Sequence, residues 1–82
     1  MQRLFIKNIV EQLDKVVQDL ENGKHVTSAT LEQIIDVDMR VVAGFEQLYK
    51  LIESFEQENS AEFAKQLKQC VNDLRERYDN YL

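Results

Sequence analysis

Residues 1–82 predict an all-α fold, a three-helix antiparallel bundle with a long middle helix, and three observations carry that prediction. Apolar residues recur at alternating steps of three and four through three separate segments. Between those segments stand the helix-stopping pair Asn22-Gly23 and the polar run Glu56 to Ser60. With two glycines and no proline, little in the chain interrupts helical hydrogen bonding.

The first segment places Ile6, Ile9, Leu13, Val16 and Leu20 on one face, and Val10 and Val17 widen the stripe into a broad buried surface. Gly23, just past the last periodic residue, supplies the left-handed conformation that closes a helix end. Lys24 and His25 then lie near the negative pole of the helix dipole, with His25 a loop or capping residue. The second helix starts near residue 28. Thr27 is its expected cap, Val26 and Leu31 are spaced as a hydrophobic staple, and Thr30 with Gln33 offers a second capping box.

From there the stripe runs Leu31, Ile34, position 38, Val41, Phe45, Leu48, Ile52 and Phe55, with Ile35, Val42 and Tyr49 alongside. Asn59 with Glu62, or Ser60 itself, caps a third helix. Its stripe is Phe63, Leu67, Cys70, Leu74, position 77 and Tyr81, flanked by Val71 and Tyr78.

Two polar residues violate these seams, Asp38 in the second helix and Arg77 in the third. An antiparallel hairpin turning near residue 58 sets Asp38 opposite Tyr78 and within a turn of Arg77. An Asp38 to Arg77 ion pair is therefore expected as a register-setting device, with the Tyr78 hydroxyl beside it. Gly44 is the other anomaly. Glycine in a helix interior costs ~1 kcal/mol, so it calls for a close helix approach, a kink, or a break into two shorter helices.

The stretch IIDVDMRVV (residues 34–42) also fits other structures. From Ile35 to Val41 it alternates with period two, as a half-buried strand does, but no adequate partner strand exists and a lone hairpin is marginal. It also resembles the centre of a helix-turn-helix unit, with Leu31, Ile35, Val37, Val42 and Phe45 at the apolar positions. Against that stand Glu32 where the helices would cross and Asp36 where the turn usually has glycine. The corresponding reading helix, Met39 to Lys50, offers only Arg40, Gln47 and Lys50 as donors. A DNA-binding transcriptional regulator using residues 28–46 is the alternative function.

A chain of 82 residues forms one domain, residues 1–82. Such a chain buries only about 60% of its unfolded surface, so help from a second chain is expected. Cys70 and His25 are the single residues of their types, which excludes an intramolecular disulfide and a four-ligand zinc site built from cysteine and histidine. No metal, cofactor or catalytic role is expected, and Cys70 reads as a core thiol. No apolar run approaches the length of a membrane span, and the chain reads as complete, soluble and cytoplasmic.

The net charge of −5 is concentrated in residues 26–59, where seven acids face only Arg40 and Lys50. That acidity makes nucleic acid an unlikely partner there. A middle helix of about 28 residues would be ~42 Å long against ~30 Å for each neighbour. Its last turns would then leave Leu48, Leu51, Ile52 and Phe55 as a partly exposed apolar patch. The function expected is a small acidic protein-protein interaction module, an adaptor, chaperone, or inhibitor or regulator, working as a homodimer.

Overall fold

Four α-helices carry the described part of the chain, residues 2–35 and 42–78 of a computed structural model. The first, α1 (Gln2–Glu21), buries every residue of the expected stripe: Ile6, Ile9, Val10, Leu13, Val16, Val17 and Leu20. It closes at Gly23, whose φ of +78° is the left-handed conformation expected there. The Lys24 N–H donates to Asp19 O at 2.9 Å and the Gly23 N–H to Leu20 O at 3.1 Å. These two bonds satisfy carbonyls that the helix end would otherwise leave open.

The second helix, α2 (Ser28–Ile34), starts as its sequence predicts. Thr27 is extended and its Oγ1 accepts from the Thr30 N–H at 3.2 Å, while Val26 and Leu31 are buried on either side of the cap. The long middle helix, however, does not form. Ile35 is extended, with φ −113° and ψ 127°, and Gly44 is left-handed, with φ +94° and ψ −22°. Neither conformation continues an α-helix. The second half of the segment is therefore a separate helix, α3 (Phe45–Glu53), and the break is the reason for Gly44. The size of the molecule agrees, because its longest dimension is 35 Å, less than the ~42 Å of a continuous 28-residue helix.

The break also changes which isoleucine is inside. Ile34 was expected in the stripe and Ile35 beside it, but Ile35 is buried and Ile34 only half-buried. β-Branched side chains and aspartate are weak helix formers, so little local preference resists turning Ile35 into the core. No strand forms among the described residues.

After a 3-10 turn (Gln57–Asn59) the chain enters α4 (Ser60–Arg77). Asn59 occupies the cap position but makes no side-chain capping bond, so that part of the expectation is not met. The buried face of α4 is Phe63, Ala64, Leu67, Val71 and Leu74. Val71 rather than Cys70 thus sits at its centre, and Cys70 is half-buried at the edge.

Contacts at both ends orient α3 on α4. Phe55 packs edge-on against Phe63 with ring centroids 4.5 Å apart, next to the connecting turn. At the far end Gly44 lies against Leu74 and Arg77, and the Tyr78 hydroxyl donates to Ala43 O at 2.7 Å. The two helices therefore run antiparallel. The α1 helix packs chiefly against α4, and α2 bridges α1 and α3. Their shared core is built on Leu13, Leu31, Phe45, Leu48, Leu67, Val71 and Leu74, all fully buried.

A polar contact described between α1 and α4 is the one in which Arg75 Nη2 donates to Asp14 Oδ2 at 2.7 Å. Both side chains are more than one-third exposed, so a double-mutant cycle with Asp14→Asn and Arg75→Gln should return a coupling of no more than about 1 kcal/mol.

The two glycines should respond differently to alanine. At Gly23 an added Cβ meets nothing within 4 Å, whereas at Gly44 it would lie 2.9 Å from Leu74 Cδ2 and 3.2 Å from Arg77 Nε. Chemical denaturation should show Gly23→Ala losing about 1–2 kcal/mol, the left-handed penalty alone. Gly44→Ala should lose about 2–4 kcal/mol, because overpacking adds to that penalty. Equal losses would show that the close approach to α4 contributes nothing.

Candidate functional site

The surface of α3 is where the residues singled out for partner binding lie, and the structure divides them. Leu48 and Ile52 are inside the core, 0% and 5% exposed, so the expected exposed patch does not include them. The physical reason is the break at Gly44, which lets the second half of the middle segment pack into the core instead of overhanging it. Leu51 and Phe55 remain half-buried at the surface. Phe55 packs against Phe63, and its neighbour Ser54 closes α3 by donating its hydroxyl to Leu51 O at 2.8 Å.

Leu51 opens onto a groove of about 380 Å³ between α3 and α4. Its walls are Gln47 and Leu51 from α3, with Gln66, Gln69, Cys70 and Asp73 from α4. Spacing produces the groove, since positions four apart on α3 and three, four and seven apart on α4 each share one helix face. The apolar part is Leu51 and Cys70, and the surrounding groups are three neutral carboxamides and one carboxylate. On the other edge of α3, Glu46, Tyr49, Lys50 and Glu53 line a second, smaller recess of about 270 Å³.

Asp73 connects this groove to Arg77, whose Nη2 lies 3.6 Å from Asp73 Oδ2 one helical turn away. Asp38, the partner expected for Arg77, lies outside the described residues, as do Val37 and Met39. The Tyr78 hydroxyl, expected beside that pair, donates to the backbone of Ala43. Gln66 and Gln69 were not anticipated, and Gln47 was singled out only as a donor on a DNA-reading helix. Their residue type suggests only a solvated face, and the available signal was their helical spacing next to Leu51 and Cys70.

The Cys70 thiol is held above its ordinary value, first by burial and second by the negative charge of Asp73. Both causes disfavour the thiolate, so the sulfur is a neutral, weakly reactive group rather than a nucleophile. Among the described residues no cluster of three or more histidine, cysteine, aspartate or glutamate side chains is placed to hold a metal ion.

The residues proposed for DNA reading are also rearranged. Leu31, Ile35 and Phe45 are buried and Val42 is half-buried, as a helix-turn-helix unit would require. The reading helix, however, was expected from Met39, and Val42, Ala43 and Gly44 are not helical. Helix α3 begins only at Phe45, and its exposed positions include Glu46, Gln47, Lys50 and Glu53. No known family, curated protein or solved structure matches the chain, and among the described residues no helix is long and apolar enough to cross a membrane.

Alkylation of Cys70 should be slower than that of a free cysteine at mildly alkaline pH and should accelerate as pH rises beyond the ordinary thiol range of about 8.5. Replacing Asp73 with asparagine removes one upward push, so Asp73→Asn should react faster at a fixed pH. A free-cysteine rate in the folded wild type would contradict the burial of the sulfur.

Proposed function

We propose that the protein acts by protein-protein binding, as an adaptor, chaperone, or small inhibitor or regulator, and that it self-associates as a homodimer through the α3–α4 face. The observation that carries this proposal is the groove itself, in which half-buried Leu51 and Cys70 are bordered mostly by uncharged side chains. An apolar centre with a neutral polar border resembles the charge-depleted middle of protein interfaces. The small size of the chain supports a second copy as partner, because 82 residues leave a modest core for one chain to rely on. A reducing, cytoplasmic setting suits a single thiol held protonated.

The DNA-binding alternative draws less support. A reading helix from Met39 would have to run through Val42, Ala43 and Gly44, which are not helical. The exposed side of α3 carries more acid than base, which phosphate would repel.

Sedimentation over a range of concentrations tests the proposal. The wild type should be dimeric, and Leu51→Glu should be monomeric with an unchanged helical circular dichroism spectrum. A wild type that stays monomeric throughout removes the homodimer. A Leu51→Glu variant that still dimerises moves the interface away from this groove.

A further inference from the structure

The sequence has five asparagines, Asn8, Asn22, Asn59, Asn72 and Asn80, and only Asn22 is followed by glycine. In such a pair the backbone nitrogen of the second residue can attack the side-chain carbonyl carbon of the asparagine. The side-chain nitrogen leaves as ammonia and a five-membered succinimide forms. Water then opens the ring at either carbonyl, giving aspartate or isoaspartate, so that one water is consumed for each ammonia released. A side chain on the second residue hinders the attack, and glycine has none.

The fold leaves this pair accessible. Asn22 and Gly23 are both exposed in the turn after α1, and nothing lies within 4 Å of the position a Gly23 Cβ would occupy. Nothing beyond its chain neighbours crowds Gly23 on that side. The other described asparagines are placed less favourably. Asn8 and Asn72 lie within α1 and α4, where helical hydrogen bonds engage the following amides. Asn59 precedes half-buried Ser60 at the start of α4. What restrains Asn22 is the closure of α1, since the Gly23 and Lys24 amides donate to Leu20 O and Asp19 O. Both bonds belong to an exposed helix end, where local opening requires little free energy.

We propose that Asn22 is a site of spontaneous deamidation whose products loosen the turn between α1 and α2. Either product adds a carboxylate beside Glu21 and Asp19, at the negative end of the α1 dipole. The new charge also competes for Lys24, whose Nζ lies 3.6 Å from Asp19 Oδ1. Isoaspartate further inserts a methylene into the main chain between the helix and Gly23. The paired bonds to Leu20 and Asp19 cannot both survive that lengthening, and buried Leu20 and Val26 lie on either side of it.

The test ages the folded protein at neutral and mildly alkaline pH and follows the tryptic peptide of residues 16–24 by mass spectrometry, with enzymatic methylation of isoaspartate as a second readout. Asn22 should convert faster at higher pH, because the attacking amide must lose its proton, while Asn8, Asn59 and Asn72 remain intact. Asn22→Gln, which keeps an amide but would need a six-membered ring, should abolish conversion at this site. The converted fraction should melt at a lower temperature than the unconverted fraction. If Asn22 stays intact in the folded protein, the turn protects it and the proposal is overturned. A converted fraction with an unchanged melting temperature overturns the loosening.

Discussion

Gly44 is where the two halves of the molecule are reconciled. It combines a left-handed backbone with contact so close to Leu74 and Arg77 that a β-carbon has no room. The first property stops one helix from running through the middle of the chain, and the second brings the start of α3 down onto the end of α4. Phe45, the next residue, is then fully buried, and Ala43, the residue before, offers its carbonyl to Tyr78. Three consecutive residues thus join the core, the α3–α4 contact and the end of the last helix. The placement of Leu48, Ile52 and the groove at Leu51 follows from that junction.

Much of the fold was legible where a local rule and the tertiary structure agree. The stripe of α1, its closure at Gly23 and the Thr27 cap of α2 each rest on residues within one or two turns of each other, and each is observed. The middle segment was misjudged because its spacing of three and four is compatible with a continuous helix but does not require one. Helical periodicity records which side chains face the core, and a broken segment can satisfy the same list. Gly44 was recognised as anomalous, yet choosing a break over a kink depended on Leu74 and Arg77, some thirty residues away. The α4 core shifted from Cys70 to Val71 and added Ala64 for a similar reason, since the position of the stripe depends on where α1 lies.

The candidate surface was less legible than the fold. Leu51 was singled out through an overhang that does not exist, and it stays half-buried because it lies at the edge of the buried face of α3 that carries Phe45, Leu48 and Ile52. Gln47, Gln66 and Gln69 carry no signal beyond position on a helix. Asp73 serves two neighbours at once, pairing with Arg77 and pushing up the Cys70 thiol. Neither relation is evident until α4 has formed and Cys70 is partly covered.

The packing of α1 against α4 places the most extensive helix contact between elements far apart in the sequence. Joining them means closing a long loop, whose entropic cost grows only as about the logarithm of its length, ~(3/2)RT ln n. Lengthening the connections between these helices should therefore matter little to stability. What matters is that α1 has most of its apolar face uncovered until α4 arrives. The helices α2 and α3 cannot serve as a stable intermediate refuge for it, because α2 is short and α3 lies chiefly on α4. The contacts that complete the core are therefore long-range ones, which slow folding relative to a bundle whose neighbouring helices pack in sequence order.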